Sequence, residues 1–410
     1  MKSLLNSAWF FTLLFVLSSC DRTPSPPAVT AMNPASGYYM TEVTVTGTGF
    51  SNQSGSNGVT VNDVDCEIVS STTTSVTFRI PALTEGEWPV RLITETGEAE
   101  AGMFSYQYTV YAAGCENNST GRSIGKYWKN GIEVSLTDGT ANTILSAVAV
   151  SSADVWTAGN LYTLQFTGSC WKNSQPYALT TTTESGAYDI LCSGNDTYVA
   201  GYESNGTKDV AKYWKNGTSV SLTDGTTDAC AYSLTVSGTD LYVAGLRIQG
   251  TKPVATYWKN GNPVYLTDGT FSARASDICV SGGDVYVSGY ENSVSNFTVA
   301  KYWKNGSEVI LSDGTSRAWA YSVAVKGSEV HVVGNNGQGA CYWKNGIPVA
   351  MDCNPSVTTF TAVFLIGNDI YVAGSERQGD LERACYWKNG TRVWLTDGTK
   401  LATTNSIFVI

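Results

Sequence analysis

Side chains that could bind a ligand stand where the repeats of this chain differ most from one another. They are aromatic and charged residues that would surround one end of the repeats, and the set comprises Tyr188, Glu203, Tyr232, Arg247, Arg274, Glu291, Arg317, Trp319 and Tyr321. Aromatic rings offer large flat apolar contacts, and arginine and glutamate add charged hydrogen bonds. Variable loops on a rigid scaffold are the usual place for such groups. We expect these residues to form a binding surface.

Two glutamates of this set could instead do acid and base chemistry. Paired carboxylates about 5 to 10 Å apart cleave glycosidic bonds in many hydrolases, and Glu203 and Glu291 occupy matching places in two repeats. A carbohydrate-active hydrolase or lyase is therefore the alternative function. The single histidine, His331, aligns with Tyr242 and Tyr286 and has no second histidine to help it hold a metal. We expect His331 to be structural, and the sequence predicts no catalytic residue, no metal and no cofactor.

Two recurring polar residues each have a structural and a functional interpretation. An aspartate recurs in Leu-Thr-Asp-Gly-Thr and a closely related segment, at Asp138, Asp224, Asp268, Asp313 and Asp397. One aspartate before a glycine fits a turn better than a calcium site, which needs several converging oxygens. A lysine follows the tryptophan of every repeat, from Lys129 to Lys388. A ring of these lysines could bind an anion, but we expect the lysines to be solvated residues at the edges of the hairpins.

The elements that position these residues repeat along the chain. Trp-Lys-Asn occurs seven times, 40 to 45 residues apart, with its tryptophan at Trp128, Trp171, Trp214, Trp258, Trp303, Trp343 and Trp387. Such a period is typical of propeller blades. Asn-Gly follows in six copies and predicts a type I′ hairpin turn, whereas the second copy has Asn173-Ser174. Adjacent aromatics such as Tyr213 and Trp214 point to opposite faces of a strand, so both are buried only in a stack of sheets.

Counting the strand-like segments predicts how the repeats close. The segment type of residues 241–245 occurs seven times and begins with residues 110–114. The type of residues 232–236 also occurs seven times, but its last copy is the C-terminal 406–410. The first repeat therefore lacks a first strand, which the end of the chain supplies. We expect a seven-bladed β-propeller over residues 109–410, closed by the C-terminal strand so that sheet edges are protected.

The N-terminus has the pattern of an export signal. Lys2 precedes an apolar run, and Leu-Ser-Ser-Cys at 17–20 resembles the lipobox of bacterial lipoproteins. Residues 1–19 are therefore predicted to be a signal peptide and Cys20 to be lipidated, with an ordinary secretory signal as the alternative. Residues 20–28, which contain three prolines, would be a tether. The other cysteines show no CxxC spacing, and we expect these cysteines to act as small buried apolar residues.

Residues 29–108 are rich in threonine and valine in period-two runs, and they predict a small antiparallel sandwich. Three segments are similar to the TIG/IPT family of immunoglobulin-like domains, namely NPASG at 33–37, VTVTGTGF at 43–50 and FSY at 104–106. The resemblance implies a spacer or interaction module rather than a catalytic domain. The repeats that follow resemble Kelch-type propellers, except that single glycines such as Gly201 and Gly289 stand where Kelch blades carry a pair.

Charge argues against one class of partner. The chain has 410 residues, a formal charge of −10 and no run of lysine or arginine, whereas nucleic-acid binding needs a clustered basic surface. The all-β arrangement resembles surface lipoproteins of Bacteroidetes-type bacteria. It predicts a non-catalytic protein that binds a glycan or a surface protein and is anchored by its lipid at the bacterial outer membrane or cell surface. A periplasmic location and a purely structural assembly subunit are further alternatives.

Overall fold

The computed structural model describes residues 25–53, 55–151, 154–163, 165–179 and 184–410. The predicted signal peptide, the lipidation at Cys20 and residues 20–24 of the tether lie outside these ranges. The described part is all-β, apart from one 3₁₀ turn at Pro355–Val357. It contains no helix long and apolar enough to cross a membrane. Two compact units divide the chain, the first built mainly from Thr41–Pro81 and Glu87–Ser105 and the second mainly from Tyr106–Ile410.

The N-terminal unit has two antiparallel sheets. Its strands are β1 (Ala28–Asn33), β2 (Ser36–Gly37), β3 (Glu42–Thr48), β4 (Asn57–Val61), β5 (Val64–Asp65), β6 (Glu67–Ser71), β7 (Ser75–Arg79), β8 (Gly86–Thr94) and β9 (Gly97–Tyr106). One sheet has the order β1-β3-β7-β6 and the other the order β2-β9-β8-β4-β5. Alternate residues face inward, so that Val43, Val45, Val59, Val61 and Phe78 are buried. The period-two runs of the sequence thus become strands with one buried face.

The C-terminal unit has seven antiparallel sheets of four strands, which we number 1 to 7. Sheet 1 holds β10 (Val110–Asn117), β11 (Ser123–Lys129) and β12 (Ile132–Ser135), and its fourth strand comes from the end of the chain. Sheets 2 to 4 hold β13 (Asn142–Ser151), β14 (Asp154–Tyr162), β15 (Phe166–Lys172), β16 (Gln175–Tyr177); β17 (Ser185–Ser193), β18 (Asp196–Ser204), β19 (Asp209–Lys215), β20 (Thr218–Ser221); and β21 (Ala229–Ser237), β22 (Asp240–Gln249), β23 (Lys252–Lys259), β24 (Asn262–Tyr265).

Sheets 5 to 7 continue the same pattern. They hold β25 (Ala273–Ser281), β26 (Asp284–Asn292), β27 (Thr298–Lys304), β28 (Ser307–Ile310); β29 (Trp319–Lys326), β30 (Glu329–Asn335), β31 (Ala340–Lys344), β32 (Ile347–Val349); and β33 (Thr358–Ile366), β34 (Asp369–Gln378), β35 (Leu381–Lys388), β36 (Thr391–Trp394). The last strand is β37 (Ala402–Val409). In sheets 2 to 7 the spatial order follows the chain, from a first to a fourth strand.

Strand β37 completes sheet 1, whose order is β12-β11-β10-β37. Its antiparallel register places Val110 opposite Val409 and Ala112 opposite Ile407. Backbone hydrogen bonds between Thr109 and Ile410, at 2.8 and 3.1 Å, hold the end of the pair. This is the pairing that the sequence predicted, and it gives β37 the place of the first strand in sheet 1.

Each sheet packs against the next, and sheet 7 packs against sheet 1. The first strands are neighbours in the order β37, β13, β17, β21, β25, β29, β33 and back to β37. Each of the seven interfaces contains one repeat tryptophan, in turn Trp171, Trp214, Trp258, Trp303, Trp343, Trp387 and Trp128. None of these is more than 4% exposed, and burying on the order of 200 Å² of each contributes about 5 kcal/mol before the cost in entropy.

A β-bulge interrupts the first half of each first strand. The extra residues in sheets 1 to 7 are Asn405, Ser146, Tyr188, Tyr232, Ser276, Tyr321 and Thr361. The second strand passes so close to the first that a side chain has no room. A Cβ on Gly245 would lie 2.0 Å from the carbonyl oxygen of Cys230, and one on Gly289 would lie equally close to that of Arg274. This contact explains the single glycines of the repeats.

The hairpin between the third and fourth strands is fixed by the asparagine of Trp-Lys-Asn. Asn260 accepts a hydrogen bond from the backbone N–H of Leu241 at 2.9 Å and donates one to Asp240 at 2.8 Å. Lys259 forms an ion pair with the same aspartate at 2.8 Å and lies over the ring of Tyr242. Lysine–carboxylate pairs of this kind recur in sheets 2 to 7. In these sheets the lysines carry paired charge, which does not favour an anion-binding ring.

The aspartate of Leu-Thr-Asp-Gly-Thr is a turn residue, as predicted. The carboxylate of Asp224 accepts hydrogen bonds from the backbone N–H and the hydroxyl of Thr226, at 3.1 and 2.8 Å. These bonds to the ionised carboxylate hold the pKa of Asp224 below its usual range. The same pair of bonds forms at Asp138, Asp313 and Asp397. Within the described ranges, no three histidine, cysteine or acidic side chains come together as metal ligands would.

Candidate binding site at the bulge end of the sheets

The predicted binding residues lie at one end of the sheets of the C-terminal unit. In sheet 4 the antiparallel register places Ala229, at the start of the first strand, opposite Arg247 near the end of the second. The other sheets repeat this register, and the bulges are at the same end. We call it the bulge end. All nine predicted residues are on sheets 3 to 6 at this end or on the loops that meet there.

Five aromatic rings form a continuous row at the bulge end, which we call the aromatic track. Tyr162 and Phe166 of sheet 2 meet edge to face at 4.9 Å between centroids, and Phe166 stacks on Tyr202 of sheet 3 at 6.3 Å. Tyr202 stacks on Tyr188 at 6.2 Å, and Tyr188 lies 5.3 Å from Tyr232 of sheet 4. Tyr162 is 45% exposed and Tyr202 only 9%. The track therefore crosses three sheets, from an exposed strand end to two bulge residues.

Arg274 of sheet 5 ends the track. Its guanidinium carbon lies 3.6 Å from the centroid of the Tyr232 ring, a distance at which a cation and an aromatic face attract each other. Its Nε is buried and has no hydrogen-bond partner in the described part of the chain. Burial raises the pKa of the phenol of Tyr321, the bulge residue of sheet 6, and the charge of Arg274 acts in the opposite direction.

The other predicted residues on sheets 4 and 6 have different surroundings. Arg247 is half-buried and lies 4.0 Å from Asp224, and its Nε also lacks a partner among the described residues. Arg317 is exposed on the loop before β29, and Trp319 is half-buried at the start of that strand. These three residues are at the bulge end but are not members of the aromatic track.

Glu203 and Glu291 are held in ion pairs. Glu203 is 6% exposed and lies 2.5 Å from Lys212 on the neighbouring third strand. Glu291 lies 2.8 Å from Lys301, which also contacts Glu308 at 2.5 Å. Such pairing is required inside a sheet stack, because leaving one partner of a buried pair alone costs about 3–5 kcal/mol. The two glutamates are therefore structural partners of lysines within sheets 3 and 5.

A cavity of about 410 Å³ lies between the first strands of the seven sheets. Every first strand contributes to its wall, and Tyr188, Tyr232 and Tyr321 line it. These three are bulge residues, and a bulge redirects side chains away from the regular alternation of a strand. The aromatic track thus reaches the wall of the cavity.

Two aspartates that follow bulges connect first strands across the cavity wall. Asp277 accepts hydrogen bonds from the hydroxyls of Ser233 at 2.6 Å and Ser322 at 2.8 Å. Asp189 accepts one from the backbone N–H of Leu234 at 2.9 Å. Burial, and then the charge of Asp277, raise the pKa of Asp189 to about 7, and burial also raises the pKa of Asp277. Sheets 3 to 6 are joined by these bonds.

His331 and the cysteines have structural surroundings. His331 is 2% exposed, its Nδ1 lies 2.7 Å from the hydroxyl of Tyr342, and burial lowers its pKa. The nine cysteines of the described residues are unpaired, and five of them are buried. Burial raises the pKa of their thiols, to about 12 for Cys170, so these groups are protonated and unreactive at neutral pH.

Three rings of the track and both cavity aspartates were missed by sequence reasoning. Tyr202 follows the repeat glycine, where Leu246 stands in the next repeat, so its place in the repeat did not mark it as a binding residue. Tyr162 lies in the repeat that departs most from the others. A signal did exist for Asp189 and Asp277, because each is a charged residue within an otherwise apolar predicted strand.

Comparison with known proteins identifies the N-terminal domain. The model of the IPT/TIG domain family matches residues 27–111, which confirms the predicted immunoglobulin-like domain of this family. No curated protein sequence matches the chain.

The comparison with solved structures found matches at low identity. A protein of unknown function from Bacteroides thetaiotaomicron is 11% identical, with 94% of this chain and 99% of that one covered and a TM-score of 0.44. An auxiliary nutrient binding protein from the same organism is 11% identical, with 93% and 98% covered and a TM-score of 0.34. A puromycin-hydrolyzing peptidase of Mycobacterium tuberculosis is 11% identical, with 71% and 53% covered and a TM-score of 0.44. Likenesses at this level leave the function of the chain open.

Proposed function

We propose that residues 109–410 form a seven-bladed β-propeller whose bulge end binds a glycan. Each sheet would be one blade, and β37 would close the ring within sheet 1. The cyclic order of contacts between the first strands supports this arrangement, as does the place of β37 beside β10. The Kelch-like character of the blades stays a prediction.

The protein would be non-catalytic and held by a lipid on Cys20 at the bacterial outer membrane or cell surface. The lipobox-like sequence at 17–20 supports this anchoring. Residues 20–28 would be the tether, and the IPT/TIG domain, at about residues 29–108 in this proposal, would be a spacer between the membrane and the propeller.

One observation carries the binding proposal, namely the row of five aromatic rings that ends at an arginine stacked on Tyr232. Four rings of this row, those of Tyr162, Phe166, Tyr188 and Tyr232, are exposed or half-buried, and they offer apolar contacts in succession, which suits a chain of sugar rings. Burial raises the pKa of the Tyr188 and Tyr232 phenols, so their hydroxyls stay protonated and able to donate hydrogen bonds at neutral pH. The combination of ring faces and hydroxyl donors favours a glycan over a protein partner.

The alternative of a hydrolase or lyase has less support. Its proposed acid and base, Glu203 and Glu291, lie on different sheets, and each carboxylate is engaged with a lysine. A general acid or base needs to be within hydrogen-bond reach of the proton that it transfers. Carboxylates already bound to a lysine within their own sheet do not meet that requirement.

A glycan array probed with the chain that follows the predicted signal peptide tests the proposal. We expect wild-type protein to bind at least one oligosaccharide, and Tyr188→Ala and Tyr232→Ala each to weaken that binding by about tenfold. The physical reason is the loss of a stacking face worth on the order of 1–2 kcal/mol. Melting temperatures establish that the variants are folded.

Tyr265→Ala is the matched control for these substitutions. Tyr265 lies on β24 of the same sheet as Tyr232 and is 45% exposed, but it is not part of the aromatic track. It should bind like wild type. The proposal is contradicted if no glycan is bound, or if the control variant loses as much affinity as the track variants.

A further inference from the structure

Arg274 is an unpaired cation surrounded by tyrosines. Its guanidinium lies on the ring of Tyr232, its cross-strand neighbour is Tyr290, and its charge acts on the phenols of Tyr188 and Tyr321. No carboxylate of the described residues forms an ion pair with it, and its buried Nε has no hydrogen bond there. Buried polar groups in proteins are almost always paired. The side chain as a whole is only half-buried, so a guanidinium without an ion pair in this position is a place for an anionic group of the ligand.

The geometry of this guanidinium favours a carboxylate. Its donors form a flat fork that matches the two oxygens of a carboxyl group. Because one face of the fork rests on the Tyr232 ring at 3.6 Å, part of the freedom of the side chain is already lost. Binding a carboxylate then costs less ordering than it would at a flexible side chain.

The middle of the aromatic track, at Tyr202, has surroundings of the opposite charge. Asp209 and Glu184 both act on the phenol of Tyr202. Burial, and then the charge of Asp228, raise the pKa of Asp209. A ligand with a carboxylate on every sugar would be repelled near Tyr202. The charges therefore favour an acidic group near Arg274 and uncharged sugars along the remaining rings.

We propose that the site takes an oligosaccharide of neutral sugars that carries one uronic acid, with the carboxylate bound by Arg274. This inference rests on the proposed glycan binding and specifies its chemical class. The neutral sugars would contact the half-buried rings of Tyr232 and Tyr188, and the acidic sugar would set the direction in which the chain lies.

Matched pairs of oligosaccharides test the inference by titration calorimetry. One member of each pair is a short oligosaccharide of neutral sugars with a single glucuronate or galacturonate, and the other is the same molecule with its carboxyl group reduced to an alcohol. We expect wild-type protein to bind the acid at least about tenfold more tightly than the alcohol. Added salt should reduce the difference, because it screens the charge.

Two substitutions of Arg274 separate charge from geometry. Arg274→Met should abolish the preference for the acid over the alcohol. Arg274→Lys should restore only part of the preference, because an ammonium group lacks the fork. Arg383→Met is the matched control, since Arg383 also lies over an aromatic ring, that of Trp394 of sheet 7 at 4.1 Å, and it should keep the full preference.

The outcomes distinguish this inference from the binding proposal. Equal affinity of wild-type protein for both members of every pair overturns the inference and leaves glycan binding intact. A preference for the acid that survives in Arg274→Met also overturns it. If every glycan bound on the array is neutral, the inference about the carboxylate is also overturned. An array on which no glycan is bound contradicts both proposals.

Discussion

The folded structure disfavours the ionised form of Asp189. It lies in the wall of the cavity near Asp277, and burial together with that neighbouring charge raises its pKa from an ordinary value of 3.8 to about 7. Hydrogen bonds from the backbone N–H groups of Leu234 and Ile190 act in the other direction without cancelling the effect. The folded protein therefore binds a proton at Asp189 more tightly than the unfolded chain does.

The resulting prediction is that the contribution of Asp189 to stability falls as the pH rises from about 4 to about 7. Below the unfolded pKa the contribution of Asp189 is fully present, and it is lost as the pH passes through the folded pKa, by at most about 1.4 kcal/mol per pH unit. Asp189→Asn should flatten part of this slope, measured as the free energy of unfolding in urea between about pH 5 and about pH 8. The same slope in wild type and variant would contradict the assignment.

Asp240→Asn provides the control for this pH profile. Hydrogen bonds from Lys259 and Asn260 lower the pKa of Asp240, so its contribution is present at neutral pH and is lost only in acid, as the pH falls through the lowered pKa. Its substitution should leave the slope between about pH 5 and about pH 8 unchanged.

At the residue scale, the sequence revealed side chains that differ between repeats more readily than those whose role depends on the backbone. Tyr188, Tyr232 and Arg274 were predicted as binding residues, and the structure places them in contact. Whether they bind a ligand stays a prediction. Asp189 was not predicted because its place in the cavity wall follows from the bulge at Tyr188, which adds one residue to the strand. Tyr202 was not predicted because its contact with Tyr188 depends on the same bulge residue.

At the scale of the strand pair, each repeat glycine on a second strand lies beside the bulge of the neighbouring first strand. Gly245 leaves room for the carbonyl oxygen of Cys230, and two residues after Cys230 the extra residue Tyr232 leaves the regular alternation. The glycines were visible in the sequence, but the bulges were not, since an added residue leaves no mark in the period of a short strand. The aromatic residues on the cavity wall are a consequence of these bulges.

Gly245→Ala should destabilise the protein by about 3 kcal/mol. Its Cβ would lie 2.0 Å from a backbone oxygen, and that contact is relieved only if a strand moves. Gly261→Ala is a control in the same sheet, because its Cβ would meet nothing within 4 Å and the cost is that of a side chain at φ +81°, about 1 kcal/mol. Urea unfolding measures both, and equal losses would show that the close contact at Gly245 is unimportant.

The hairpin turns were the most predictable elements. Asn260 and Gly261 have φ values of +50° and +81°, which is what the Asn-Gly signal implies. In sheet 2, Asn173 and Ser174 have φ values of +49° and +66°. Serine there adopts a conformation that glycine reaches without strain in the other repeats, so the turn geometry is kept although the residue type is less suitable.

At the scale of the whole C-terminal unit, cyclic packing is what buries the repeat tryptophans. Along the chain, sheet 1 has no preceding repeat, yet Trp128 is buried against sheet 7 with Ala384 and Leu395. The number of repeats and the pairing of β37 followed from counting segments in the sequence. The identity of the ligand could not be derived in this way. The residues shared by all repeats are those that pack, whereas binding depends on residues that differ from one repeat to the next.

The most direct test of the ring is the thermal unfolding of a chain that lacks residues 406–410. These residues include Ile407 and Val409, which are 5% and 2% exposed and pair with Ala112 and Val110. Their loss would leave residues 110–113 of β10 as an exposed edge. We predict aggregation or a large fall in the melting temperature, whereas substitution of the exposed Lys400 by alanine should have no effect. A truncated chain that melts like the full-length protein would contradict closure by β37.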